Sequence, residues 1–219
     1  MTRWLVPLLT GVLMLVAFVS LLAGTVWLTP QQAFASLSTA GTELSGLIIR
    51  EIRLPRVLLA MSIGASLGLS GAVLQGLLRN PLAEPGLLGV TAGASLGAVI
   101  AIYFGVSTTF ALATPVFALL GASVTAAVAL MLARTGGTLS LILTGVAISS
   151  TASALTMLAL NLAPSPYAVY EIMAWLMGSL TDRSWDHVRL AFPFVLPGLG
   201  LLLLTGRSLD ALSLGEVQA

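Results

Sequence analysis

Apolar residues run along this chain in long unbroken stretches, and charged positions fall between the stretches instead of alternating with them. The uncharged intervals are Trp4 to Thr42, Val57 to Leu78, Pro85 to Ala133, Thr135 to Tyr170 and Leu190 to Gly206. A helix that crosses the hydrocarbon core of a bilayer needs about 20 apolar residues. Each interval therefore predicts a crossing, and the longest predicts two. That interval divides near Gly105-Val106-Ser107-Thr108-Thr109, where small polar residues cluster ahead of Pro115. Six spans result, over about 4–28, 57–78, 87–105, 111–133, 139–162 and 188–206. The predicted fold is an all-α polytopic helix bundle, one transmembrane domain over residues 1–219.

Glycine spacing predicts how the spans pack. Gly89, Gly93 and Gly97 recur every fourth residue, as do Gly64 and Gly68, so each set forms a smooth ridge where another backbone approaches closely. Composition agrees with a membrane protein: 58% of residues are hydrophobic and 8% charged, with a mean hydropathy of +1.05. Soluble chains carry about a quarter charged residues. The net charge of +1 comes with nine scattered arginines and no lysine, which argues against a nucleic-acid partner, because phosphate binding needs clustered cations. Without cysteine, disulfides and thiol chemistry are excluded.

Charge placement bears on orientation. A cytoplasmic N-terminus puts Arg3, Arg79, Arg134 and Arg207 at inner ends of spans, as the positive-inside rule asks. The outer side then holds Arg50, Arg53, Arg56, Arg183 and Arg189 with Glu43, Glu51, Glu171, Asp182 and Asp186. The raw count is nearly balanced, so the outer arginines call for their own explanation. The first apolar run, with Ala33-Phe34-Ala35 after it, superficially resembles a signal peptide. Its length of about 25 residues exceeds the roughly 7–15 of such a core, and it reads as a span.

An intramembrane enzyme would place ionisable groups inside the bilayer, yet every Asp, Glu and His falls at or outside a predicted span end. His187 lacks an evident partner for catalysis or metal binding and reads as a surface residue. No phosphate loop of the G-x-x-x-x-G-K-[ST] type occurs, so nucleotide chemistry belongs to another chain. Between the second and third spans stands Arg79-Asn80-Pro81-Leu82-Ala83-Glu84-Pro85-Gly86-Leu87-Leu88-Gly89. Pro81 and Pro85 each remove a backbone donor and disfavour helix at the residue before, so the chain turns here. Asn80 and Glu84 are placed to bond free backbone groups at helix ends, Glu84 near the positive end of the next helix. Gly86 and Gly89 let the chain return closely into the bundle.

These residues carry a resemblance. "RLPRVLLAMSIGASLGLSGAVLQGLLRNPLAEPGLLGVTAGASLGAVIAI", Arg53 to Ile102, is similar to the signature region of the FecCD family, permease subunits of ATP-binding-cassette importers for ferric siderophores, haem and vitamin B12. "LILTGVAISS" (Leu141–Ser150), "WLMGSL" (Trp175–Leu180) and "LDALSLGEVQA" (Leu209–Ala219) continue it over nearly the whole chain after the first span. The resemblance implies a transport subunit and not an enzyme, in the cell membrane with its N-terminus cytoplasmic. It implies a second permease subunit, two cytoplasmic ATPases and an extracytoplasmic binding protein as partners. No cofactor is expected on this chain; ATP is used by the partner ATPase.

The resemblance also assigns roles. Arg53 and Arg56 match an Arg-x-x-Arg expected to pair with carboxylates of the binding protein, where the planar guanidinium suits bidentate recognition. Arg79, Asn80, Pro81, Pro85 and Gly86 look like an inner structural turn. Thr138, after Arg134-Thr135-Gly136-Gly137, is the expected gate residue of the pathway. Residues 207–219 resemble the start of a coupling loop docking on the ATPase, with Leu212, Leu214, Gly215 and Glu216 as contacts. The implied fold has ten helices, so this chain reads as its first part, C-terminally incomplete, with a truncated, non-transporting remnant or assembly subunit as the alternative.

Overall fold

The computed structural model describes residues 2–33, 44–110, 112–134 and 136–213, which form helices and turns with no strand among them. The helices are α1 (Thr2–Leu22), α2 (Leu54–Leu78), α3 (Val90–Tyr103), α4 (Ala113–Ala133), α5 (Gly137–Asn161), α6 (Pro166–Met177), α7 (Trp185–Leu204) and α8 (Gly206–Ser213). A helical turn Leu44–Leu47 and a π-helical stretch Ile48–Arg53 lead directly into α2. A 3-10 turn, Pro85–Leu88, precedes α3, and one helical turn, Val106–Thr109, follows it.

The all-α class holds, and the count of spans shifts. Among the described residues five helices are long and apolar enough to cross a bilayer, and Val90–Tyr103 is a shorter apolar helix. Its 14 residues cover about 21 Å, less than the roughly 30 Å of hydrocarbon. The break placed near Gly105 is present, with Gly105 at φ 69. The first span ends earlier than expected, at Leu22, and the second begins earlier than residue 57, because the helical backbone runs from Leu44 to Leu78. Pro55 explains the widened turn before α2: it offers no donor to the preceding turn, and its ring needs room that the π-helical geometry supplies. Helix α6 lies wholly in a stretch left outside the spans.

The chain forms two compact units, Met1–Ser66 with Leu180–Leu199 and Leu67–Ser179 with Gly200–Ala219. In the second, α3 lies against α4 through the glycine ridge. A Cβ at Gly97 would overlap the Phe117 carbonyl, one at Gly121 the Gly93 carbonyl, and one at Gly93 the Thr125 side chain. Gly89, at φ 77, closes the 3-10 turn and starts α3 against Gly145 and Ile148 of α5. Val99, Ile102 and Ile172 form the core of this unit, with Ala159, Leu160 and Trp175 packed on it. The second expected ridge differs: a Cβ at Gly64 or Gly68 meets no atom of the described residues within 4 Å. In the first unit Leu28, Ala33 and Ile49 form a smaller core with Leu22 and Ile48.

Candidate functional site

Arg53 ends the π-helical stretch and is buried, 7% exposed. Its Nη1 donates to the carbonyls of Leu21 at 2.8 Å and Leu22 at 2.7 Å, and its Nη2 donates to the carbonyl of Val26. The last carbonyls of a helix lack intrahelical donors, and α1 has no basic residue in its own last turn. Arg53 supplies that donor from elsewhere in the chain, where its positive charge also suits the negative end of the α1 dipole. Gly24 leaves the room: a Cβ there would lie 2.6 Å from Arg53 Nη2.

Arg56, one turn on in α2, has its side chain 35% exposed. Its Nη2 lies 3.9 Å from Asp182 Oδ1, longer than a hydrogen bond. Its Nε is buried and has no hydrogen-bond partner among the described residues. The expected pair thus divides: Arg53 holds three carbonyls, and Arg56 keeps donors to offer. Residues around the start of α7 gather near here. Asp182 adopts φ 60, and the Trp185 indole donates to the Arg50 carbonyl at 2.9 Å. His187 is half-buried, not a plain surface residue: Ser184 N–H lies 3.3 Å from its Nδ1 and Arg183 Nη1 lies 3.1 Å from its Nε2.

The segment after α2 turns as expected. Arg79 takes φ 49. Asn80 Oδ1 accepts from Leu82 N at 2.9 Å, and the Asn80 carbonyl accepts from Ala83 N at 3.1 Å. Pro81 and Leu82 form the turn, and Gln75 Nε2 donates to the Ala83 carbonyl at 3.4 Å. Pro85 and Gly86 open the 3-10 turn. Glu84 departs from expectation: its side chain caps nothing, and its backbone carbonyl accepts from Leu87 N instead.

Thr138 stands in the first turn of α5, after Gly137 at φ 65. Leu212 belongs to the last turn of α8, while Leu214, Gly215 and Glu216 lie outside the described residues. Leu209 of α8 packs on α2, its Cδ2 3.4 Å from where a Cβ at Gly76 would stand. Glu51 lies inside the continuous helical stretch Leu44–Leu78 and not beyond its end, whereas Glu171 stands on α6, outside the helices long enough to cross. Sequence reasoning missed α6, whose signal is local: Ser165 Oγ accepts from Ala168 N at 3.2 Å, Pro166 takes the first position, and Gly178 at φ 74 ends the helix.

The architecture has known counterparts. A solved structure described as an inward-facing conformation of a metal-chelate type ABC transporter aligns with 96% of this chain and 65% of its own, at TM-score 0.82 and 34% identity. The vitamin B12 import system permease protein BtuC of Vibrio vulnificus (strain CMCP6) is 39% identical over 225 residues, covering 99% of this chain and 64% of BtuC. The Fe(3+) dicitrate transport system permease protein FecD of Escherichia coli (strain K12) is 40% identical over 173 residues, 78% of this chain and 53% of FecD. An uncharacterised ABC transporter permease, YvrB of Bacillus subtilis (strain 168), is 40% identical over 178 residues, 78% of this chain and 50% of YvrB. The chain thus spans between half and two thirds of the length of these relatives. Residues 12–219 match the FecCD transport family, and this multi-pass membrane chain belongs to it.

Proposed function

We propose that this chain is the membrane-spanning permease part of an ATP-binding-cassette importer. In this reading it contributes to the pathway of a cobalamin, haem or ferric siderophore delivered by an extracytoplasmic binding protein. Two cytoplasmic ATPases drive the passage, and a second permease subunit completes the pathway. The observation that carries this reading is the alignment of 96% of the chain with a transporter of the metal-chelate type. The N-terminus is cytoplasmic, Arg56 meets a carboxylate of the binding protein, and Arg53 supports it by fixing the adjoining helix end. Thr138 belongs to the inner gate. Leu212, Leu214, Gly215 and Glu216 contact the ATPase.

The test is uptake of labelled cobalamin, haem and ferric siderophore by cells that depend on this chain with its partner subunits. ATP-dependent uptake of one of these supports the reading. Assembly with the ATPases without uptake of any of them would show a non-transporting subunit. In the same cells Thr138→Arg is expected to lower flux or to leave ATP hydrolysis uncoupled. Arg56→Glu is expected to weaken binding-protein capture about tenfold at low salt and less at high salt, the behaviour of an exposed charge pair. Wild-type behaviour of both variants would remove those two roles.

A further inference from the structure

Arg56 also borders a partly open cavity of about 400 Å³ in the first unit, lined by the end of α1, the residues after it and the π-helical stretch. Its wall is half polar in character: Ser20, Thr25, Arg53 and Arg56 stand there beside Ile48 and Ile52. Arg53 gives three hydrogen bonds to backbone carbonyls. Arg56 is less well partnered, since its Nε is buried without a partner among the described residues and its one ion pair there is the loose contact with Asp182. A buried guanidinium donor without an acceptor is costly, and two cations beside one cavity call for an anion.

The depth of the cavity says which anion. The uncharged part of α2 runs from Val57 to Leu78, and 22 residues of helix cover about 33 Å, close to the hydrocarbon thickness. Arg53 and Arg56 therefore stand at the end of the hydrocarbon, in the layer of phosphate headgroups. Trp27, 74% exposed, and Trp185, bonded to the Arg50 carbonyl, are the aromatic residues that mark that layer. The apolar lining suits the glycerol and upper acyl carbons.

We infer that this cavity binds a phosphate oxyanion, held by Arg56 with the Ser20 and Thr25 hydroxyls and carried by a phospholipid headgroup or present as free phosphate. The forked guanidinium suits phosphate, which it grips through two donors at once. The inference does not depend on the transport reading.

The test uses the full chain in nanodiscs of equal phosphatidylcholine and phosphatidylglycerol, released into native mass spectrometry with and without inorganic phosphate. Wild type is expected to retain phosphatidylglycerol about tenfold over phosphatidylcholine, an advantage of the size that arginines give near an anionic surface. Arg56→Gln is expected to lose that preference and Thr25→Val to reduce it, with helix content by circular dichroism unchanged. If free phosphate is the ligand, wild type carries a phosphate adduct that displaces the lipid, and Arg56→Gln carries none; this also supports the site. Equal lipid retention by wild type and both variants with no phosphate adduct would overturn it. So would an Arg56→Gln protein that loses capture of the binding protein yet keeps its lipid preference, which assigns the guanidinium to a protein carboxylate.

Discussion

At the scale of single residues, Arg53 and Arg56 show how alike two side chains look in sequence and how differently they are placed. Both sit in one Arg-x-x-Arg, and residue type alone suggests equal roles for them. The carbonyls that take up Arg53 belong to residues 21, 22 and 26, about thirty positions earlier, and no local pattern announces that meeting. Replacing Arg53 with Leu takes the guanidinium donors away from the carbonyls of Leu21, Leu22 and Val26 and leaves the Leu22 carbonyl, among the described residues, only its bond from Leu28 N–H. The expected cost is about 2–3 kcal/mol, the scale of hydrogen bonds to a charged group. It is read as a lower thermal midpoint by circular dichroism in detergent, and Arg53→Lys should recover only part of it, because an ammonium lacks the planar fork. A midpoint unchanged in Arg53→Leu would show that α1 is held by other means.

Between whole elements, the glycine ridges give the clearest comparison. Two sets share the same four-residue spacing, yet Gly93 and Gly97 of α3 face Thr125, Phe117 and Gly121 of α4, whereas Gly64 and Gly68 of α2 face no described atom within 4 Å of an added Cβ. Spacing therefore reveals that a helix can be approached closely and stays silent on whether a partner is there. Gly97→Val drives a branched side chain into the Phe117 carbonyl and should cost about 1–3 kcal/mol of overpacking. Gly68→Val on the isolated chain should change its thermal midpoint by much less. Equal effects of the two would contradict the α3–α4 crossing. Long spans were legible because charge spacing marks them, and the turn at Arg79–Gly89 was legible because proline and asparagine have local consequences. The short helix α6 was not legible by those means: its Ser165-Pro166 start lies in an uncharged interval already assigned to a span, and its buried Ile172 shows only through packing on α3 and α5. The widened turn at Ile48–Arg53 was hidden for a related reason, since charges there looked like a span boundary while the helix ran on through them.

For the whole molecule, α6 decides the path of the chain through the bilayer. Its 12 residues extend about 18 Å, short of the roughly 30 Å of hydrocarbon. Helix α3, at about 21 Å on its own, is preceded by the 3-10 turn Pro85–Leu88, which lengthens the apolar stretch; the expectation is that α3 crosses and α6 does not. On that expectation the chain crosses with α3, α4 and α5 between Leu82 and Asp182, and three passages would put these two residues on opposite sides. The natural absence of cysteine makes this directly measurable. Leu82 is 84% exposed and the Asp182 side chain 92% exposed, so Leu82→Cys and Asp182→Cys are both open to a maleimide reagent. With the N-terminus cytoplasmic, Asp182→Cys in intact cells should react with a membrane-impermeant maleimide, and Leu82→Cys should react only after the membrane is disrupted. The reverse pattern would invert the orientation and move the arginines around Arg56 to the cytoplasmic face, removing them from any binding protein outside. Labelling of both cysteines from the same side would mean an even number of crossings between them, either α6 passing through the bilayer or the short α3 failing to.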